Sequence, residues 1–133
     1  MKRSFRVTNA PGDPCPVQDG TVNPVPEIDL ADLPPTLPDG AALLDVREDD
    51  EWAAGHAPTA VHIPMTDLAA RLDDVPDGDP IYVICRAGGR SARVTQYLNA
   101  QGWEAVNVAG GMLQWAAAGR PLEADPGVEP QII

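Results

Sequence analysis

One cysteine in this chain stands where a nucleophile would be useful. Cys85 follows the unbroken run Ile81-Tyr82-Val83-Ile84 and precedes Arg86-Ala87-Gly88-Gly89-Arg90-Ser91. The run is β-branched and aromatic and predicts a strand. The stretch Gly89–Asn99 predicts a helix with Val94, Tyr97 and Leu98 on one face. A thiol at a strand's carboxyl end, ahead of a glycine-containing loop and a helix start, faces a cluster of free backbone N–H groups. Gly88 and Gly89 permit the positive φ values that turn such groups inward. The helix start adds partial positive charge, and Arg86 and Arg90 add full charges. Surroundings of this kind favour thiolate over thiol and lower a cysteine pKa from ~8.5 toward ~3.5–7.5. Arg86, Arg90 and Arg93 lie close together, although the chain has only nine lysines and arginines and a net charge of −11. A small anion is the ligand that such a cup selects. A buried, inert cysteine beside exposed arginines is the plainer alternative; the glycines, the arginines and the strand–helix junction together weigh against it.

The elements that must position this loop are short and alternate in type. Val25–Ile28 predicts an edge strand and Ala42–Val46 a buried one. Asp49–Ala54 predicts a helix closed by Gly55, and Ala60–Ile63 a second buried strand ended by Pro64. Asp67–Leu72 predicts a helix through the i,i+4 pair Leu68 and Leu72, followed by an acidic turn region over Asp73–Pro80. Ala105–Val108 predicts another strand, and Met112–Ala118 another helix, stopped at Gly119-Arg120-Pro121. Alternation of strand and helix, with strands that are continuous apolar runs, indicates an α/β fold. The expectation is a small three-layer domain, with a mainly parallel five-stranded sheet and helices on both faces. Ligands of such sheets sit beyond the carboxyl ends of the strands, where Cys85 lies.

At 133 residues the chain suits one domain. Residues 1–24, rich in Pro, Gly, Asn and Asp, are expected to form an extended arm, 25–122 the domain, and 123–133 an acidic, mobile C-terminal tail. The core is expected to be mostly aliphatic, because aromatic residues make up only 5% of the chain. Net negative charge argues against a nucleic-acid or anionic-membrane partner. No run approaches the ~20 apolar residues that span a bilayer, and no apolar segment follows Lys2, Arg3 and Arg6 as in a signal peptide. Two cysteines do not make a disulfide framework, so a reducing cytoplasm is expected. Cys15, between Pro14 and Pro16, reads as a spectator thiol, with a resolving partner for Cys85 as the alternative.

Three ordered motifs carry a family resemblance. Cys85-Arg86-Ala87-Gly88-Gly89-Arg90-Ser91 resembles the active-site loop of the rhodanese family, Cys-x-x-Gly-x-Arg-Ser/Thr. Leu44-Asp45-Val46-Arg47-Glu48, then Glu51-Trp52, Gly55-His56, Ala60 and Ile63-Pro64, resembles the family's first signature. Asn107-Val108-Ala109-Gly110-Gly111-Met112, with Trp115 and Gly119-Arg120-Pro121, resembles its last. Pro58-Thr59 departs from the usual aliphatic residue and glycine. The resemblance covers about 25–122 and implies a single-domain sulfurtransferase of the thiosulfate type. It implies that Cys85 takes sulfur from a small anionic donor as a persulfide and passes it to a thiol, cyanide or a protein acceptor. It implies no cofactor, and a monomer is expected. Arg86, Ala87, Gly88, Gly89, Arg90 and Ser91 are then the substrate-binding loop, with Arg90 orienting it and contacting donor oxygens and Arg86 at the rim.

Other residues weigh toward structure. Asp45 and Arg47 end a strand at the same sheet edge and are supporting candidates; an ion pair of Arg47 with Glu48 or Glu51 is the favoured reading. His56 and His62 lack metal-site spacing and read as structural, as do Met112 and Trp115 at i,i+3. Gly110-Gly111 predicts a tight turn or close approach to the active loop. Two rivals stand beside sulfur transfer. A phosphatase or arsenate reductase would carry five residues between Cys and Arg rather than four, and His where Ile84 stands. A pure interaction or sulfur-relay module would act only with a protein partner.

Overall fold

The computed structural model describes residues 25–133; the arm at 1–24 and Cys15 lie outside them. Five strands, β1 (Glu27–Asp29), β2 (Ala42–Asp45), β3 (Val61–His62), β4 (Ile81–Ile84) and β5 (Ala105–Ala109), form one sheet in the order β1-β5-β4-β2-β3. Every pairing is parallel. Three helices, α1 (Asp49–Ala54), α2 (Gly89–Ala100) and α3 (Gly111–Ala117), and 3-10 segments at Leu30–Asp32 and Met65–Asp74 cover it. The expected α/β class, parallel sheet and five strands are all present.

The strand pleat sorts the core into two layers. Ile81, Val83 and Cys85 point to one face and pack with Val94, Leu98 and Leu68; Tyr82 and Ile84 point to the other and pack with Met112, Trp115 and Leu30. Apart from Tyr82 and Trp115 the fully buried apolar side chains are small or aliphatic. Each such side chain adds about 1.5–3 kcal/mol of transfer free energy. Central β4 therefore delivers Cys85 onto the α2 face by period-two alternation alone.

The order in which strands are added across the sheet reverses between β2 and β4. From β2 the chain moves outward to β3, then crosses back to β4 and continues the other way to β5. Connections diverging from adjacent parallel strands leave a crevice at their carboxyl ends. Residues 46–51 and 85–91 border it.

Three expectations differ from the structure. The strand over Ala60–Ile63 is reduced to Val61–His62, and Val61 is 39% exposed, because β3 is the sheet edge and Pro64 stops pairing. The helix over Asp67–Leu72 is a 3-10 segment broken at Arg71 (φ −122°, ψ 31°), whose guanidinium bonds Asp74 instead. The tail expected to be mobile lies back on the domain. Glu123 pairs with His56 through both backbone hydrogen bonds, the Gln131 N–H donates to the Ala54 carbonyl, and Ile132 packs against the Trp115 layer. Apolar residues at its end give the segment something to bury.

Candidate active site

Cys85 is 1% exposed, at the end of β4. Gly88 precedes α2 in a left-handed conformation (φ 116°, ψ −11°) and directs its N–H to the sulfur at 3.1 Å. Only Gly88 of the two loop glycines has positive φ; Gly89 is already in the first turn of α2 and needs none. Burial pushes the Cys85 thiol up, but the Ser91 hydroxyl and the backbone N–H groups of Ser91, Gly88 and Ala87 outweigh it, and its pKa lies below the ordinary value.

The loop is shaped from behind by α3. The Met112 N–H donates to the Cys85 carbonyl at 2.8 Å and the Leu113 N–H to the Arg86 carbonyl at 3.0 Å. These N–H groups in the first turn of α3 would otherwise lack partners. Gly111 (φ 56°) makes the approach possible, since a β-carbon there would fall on the carbonyl oxygens of Cys85 and Arg86. The sequence expectation for Gly110-Gly111 is met by this contact.

The charged residues group differently from the sequence expectation. Arg90 donates through both terminal nitrogens to Glu51, at 2.7 and 2.9 Å. Glu51 also accepts the Glu48 N–H at 2.9 Å, closing a capping box at α1. The Arg90 guanidinium holds the Glu51 carboxyl down at about 2, and Glu51 in turn raises Arg90. Arg86 is exposed, and its Nε donates to the Ile133 carbonyl at 2.8 Å. Arg93 lies along the same helix as Arg90 and lines an apolar groove with Met65, Leu68 and Tyr97.

Arg47 corrects a sequence expectation. Its partner is Asp45, not the carboxylates of Glu48 or Glu51: Nε and Nη2 reach both Asp45 oxygens at 2.8–3.1 Å, and both residues are fully buried. Two residues apart across the end of β2, they are the nearest pair that can neutralise one another without water. The remaining donors hold the Gly55 carbonyl at 2.8 Å and the Glu51 carbonyl at 3.3 Å. Arg47 thus ties down the middle and the C-cap of α1, the helix that presents Glu51. Trp52 is sandwiched between His56 (centroids 3.7 Å) and His62 (4.6 Å), which gives both histidines a packing role.

Two polar side chains complete the surroundings of the sulfur. Ser91 Oγ lies 3.3 Å from Cys85 Sγ and 2.5 Å from Asn107 Oδ1. Asn107 Nδ2 donates to Glu27 Oε1 at 3.0 Å and to the Gly88 carbonyl at 3.4 Å. The sequence reading gave Asn107 and Glu27 no role. A lone amide in the apolar strand Ala105–Val108 was the available signal, because a buried polar group needs a partner. Glu51 was visible only as a possible partner for Arg47.

Comparisons agree with this geometry. A family model described as Rhodanese-like domain matches residues 30–118. The chain is 49% identical over 80 residues to the putative sulfurtransferase YtwF of Bacillus subtilis (strain 168), covering 59% of this chain and 77% of that one. It is 35% identical over 86 residues to the thiosulfate sulfurtransferase GlpE of Actinobacillus pleuropneumoniae serotype 3, covering 64% and 80%. The crystal structure of a rhodanese-related protein from Thermoplasma volcanium superposes with a TM-score of 0.68 at 30% identity, covering 75% of this chain and 99% of that one.

Proposed function

The chain belongs to the rhodanese family, and from that membership we propose that it transfers sulfane sulfur through a Cys85 persulfide, with thiosulfate or a similar small anion as donor. The observation that carries this reading is the buried sulfur held 3.1 Å from the Gly88 N–H at the carboxyl end of the central strand. The Cys85 thiolate attacks the sulfane sulfur of thiosulfate. A new S–S bond forms, the bond to the sulfonate sulfur breaks, and the electron pair leaves with sulfite. Cys85–S–S⁻ remains, its outer charge facing the N–H groups of Ala87, Gly88 and Ser91. An acceptor thiolate or cyanide then takes the outer sulfur and returns the Cys85 thiolate, giving ping-pong kinetics.

Arg86, exposed at the rim, draws the dianion toward an otherwise acidic protein. Arg90 works through Glu51, fixing α1 against the start of α2. Gly89 leaves the approach open, since a β-carbon there would meet nothing within 4 Å. The Asp45–Arg47 pair supports the site by holding α1. No helix among the described residues is long and apolar enough to cross a membrane.

Intact mass measurement after thiosulfate treatment tests the proposal. Wild type is expected to gain one sulfur atom that cyanide removes, and Cys85→Ser to gain none. A persistent absence of the added sulfur in wild type would overturn the reading. So would its appearance in Cys85→Ser.

A further inference from the structure

Asn107 is 2% exposed and faces the Ser91 hydroxyl through Oδ1. Its amide orientation is fixed twice over, because both Nδ2 partners, the Glu27 carboxylate and the Gly88 carbonyl, can only accept. Oδ1 must therefore face Ser91. A serine hydroxyl has one hydrogen. At 2.5 Å from Oδ1 and 3.3 Å from Cys85 Sγ, that hydrogen belongs to the Asn107 bond. Ser91 then offers the sulfur a lone pair, which suits an S–H donor and opposes a thiolate.

We infer that Asn107 is a positioning residue that withholds the Ser91 hydroxyl hydrogen from Cys85 while the sulfur is a thiol, and that Glu27 fixes the amide orientation responsible. When Cys85 ionises, the hydroxyl turns to the sulfur and Asn107 Oδ1 is left buried without its donor, at a cost. Thus the fixed amides of Ala87, Gly88 and Ser91 always favour the anion, whereas the hydroxyl favours it only by breaking the Asn107 bond. On the proposed function, loading moves the negative charge to the outer sulfur, and the hydroxyl returns to Asn107. The network therefore penalises the bare thiolate relative to both the resting thiol and the persulfide.

The other charged groups around the sulfur are Arg90 with its partner Glu51 and nearby Glu48, Arg86 on the loop, and the neutralised Asp45–Arg47 pair. None is altered in the test. Cys85 alkylation by iodoacetamide is followed against pH in the full chain. Ser91→Ala is expected to raise the midpoint. Asn107→Ala is expected to lower it, with alkylation below the midpoint about threefold to tenfold faster than wild type. A residue that merely supports the fold would not accelerate the reaction when removed, so an unchanged or raised midpoint in folded Asn107→Ala overturns the inference.

Should Asn107→Ala fail to fold, exposed Glu27 on the edge strand provides the second measurement. Glu27→Ala leaves the Asn107 amide held only by the longer bond to the Gly88 carbonyl, and it also removes a negative charge. It is expected to accelerate alkylation more in the wild-type background than in Ser91→Ala. Equal acceleration in both backgrounds would reduce Glu27 to a distant charge and overturn the inference. The inference takes Cys85 as the reactive thiol of the proposed function, but alkylation reads that thiol without any sulfur transfer. If thiosulfate adds no sulfur while these shifts hold, the network stands and the functional reading falls.

Discussion

Glu51 accepts hydrogen bonds from both terminal nitrogens of the Arg90 guanidinium, so this cation of the Cys85 loop is joined to α1 and is not free in the crevice. Two segments that border the site from opposite sides are locked by one bidentate pair, the strongest geometry available to an arginine and a carboxylate.

Arg90→Ala is therefore expected to loosen α1 as well as weaken attraction of the donor. In stopped-flow measurement of the thiosulfate half-reaction, its second-order rate constant should fall by at least about tenfold, equivalent to ~1.4 kcal/mol. Arg93→Ala, in the groove beside Met65 and Tyr97, should stay within about twofold. Equal losses would mean that the loop arginine has no special part.

Acid should weaken the fold through the same pair. Glu51 has its pKa depressed to about 2 in the folded state against 4.5 when unperturbed. The stability it contributes is complete above about 4.5 and is lost as pH falls toward 2. Linkage allows about 3 kcal/mol at most, and the 30% exposure of the Arg90 side chain trims this to ~1–2 kcal/mol. Urea unfolding at pH 7 and pH 3 should show that difference shrink in Glu51→Gln. An undiminished difference would place the acid sensitivity elsewhere.

Gly111→Ala is predicted to damage both stability and chemistry. Its β-carbon would meet backbone oxygens that cannot swing aside, at a φ of 56° unfavourable to alanine. A loss of about 2–4 kcal/mol in chemical denaturation is expected, with slower alkylation of Cys85 at neutral pH as the loop shifts. A stable variant with wild-type thiol reactivity would show that the contact is dispensable.

Gly55→Ala offers a contrast, because Gly55 is extended (φ 171°) and suffers no backbone penalty. There the added methyl would strike the backbone of Gln131. Displacement of residues 129–133, read as faster amide exchange at Gln131 and a loss of about 1–3 kcal/mol, is the expected result. Unaltered exchange at Gln131 would mean that the segment is held without this contact.

Arg86→Ala should lower the thiosulfate rate constant in a salt-dependent manner. An exposed charge steers an anion only within a Debye length, ~10 Å at 0.1 M. The difference between variant and wild type should be about threefold to tenfold at low ionic strength and should narrow near 1 M. A constant ratio would indicate direct contact with the bound donor.

Much of this arrangement was legible in the residues, and the limits have physical causes. Ile81–Ile84 announces its strand because every side chain is β-branched or aromatic and both faces are buried. Cys85, Gly88 and the α2 start follow from local chemistry, and α1 has the predicted bounds. What failed was long-range or cooperative. Val61–His62 is short because of its place at the sheet edge, which no local pattern states. The Arg90–Glu51 pair spans 39 residues and the Asn107–Glu27 bond 80. Arg47 had five carboxylates within four residues in sequence, and only the geometry at the end of β2 selects Asp45.

The hydrogen bonds from Met112 and Leu113 to the carbonyls of Cys85 and Arg86 have a consequence for the order of biosynthesis. A ribosome releases Cys85 well before the helix that moulds its loop. Until that later segment docks, the nascent thiol has an unshaped peptide around it and the acidity of any ordinary cysteine. The lowered pKa of Cys85 therefore depends on a segment synthesised after it, whose N–H groups hold the loop in place.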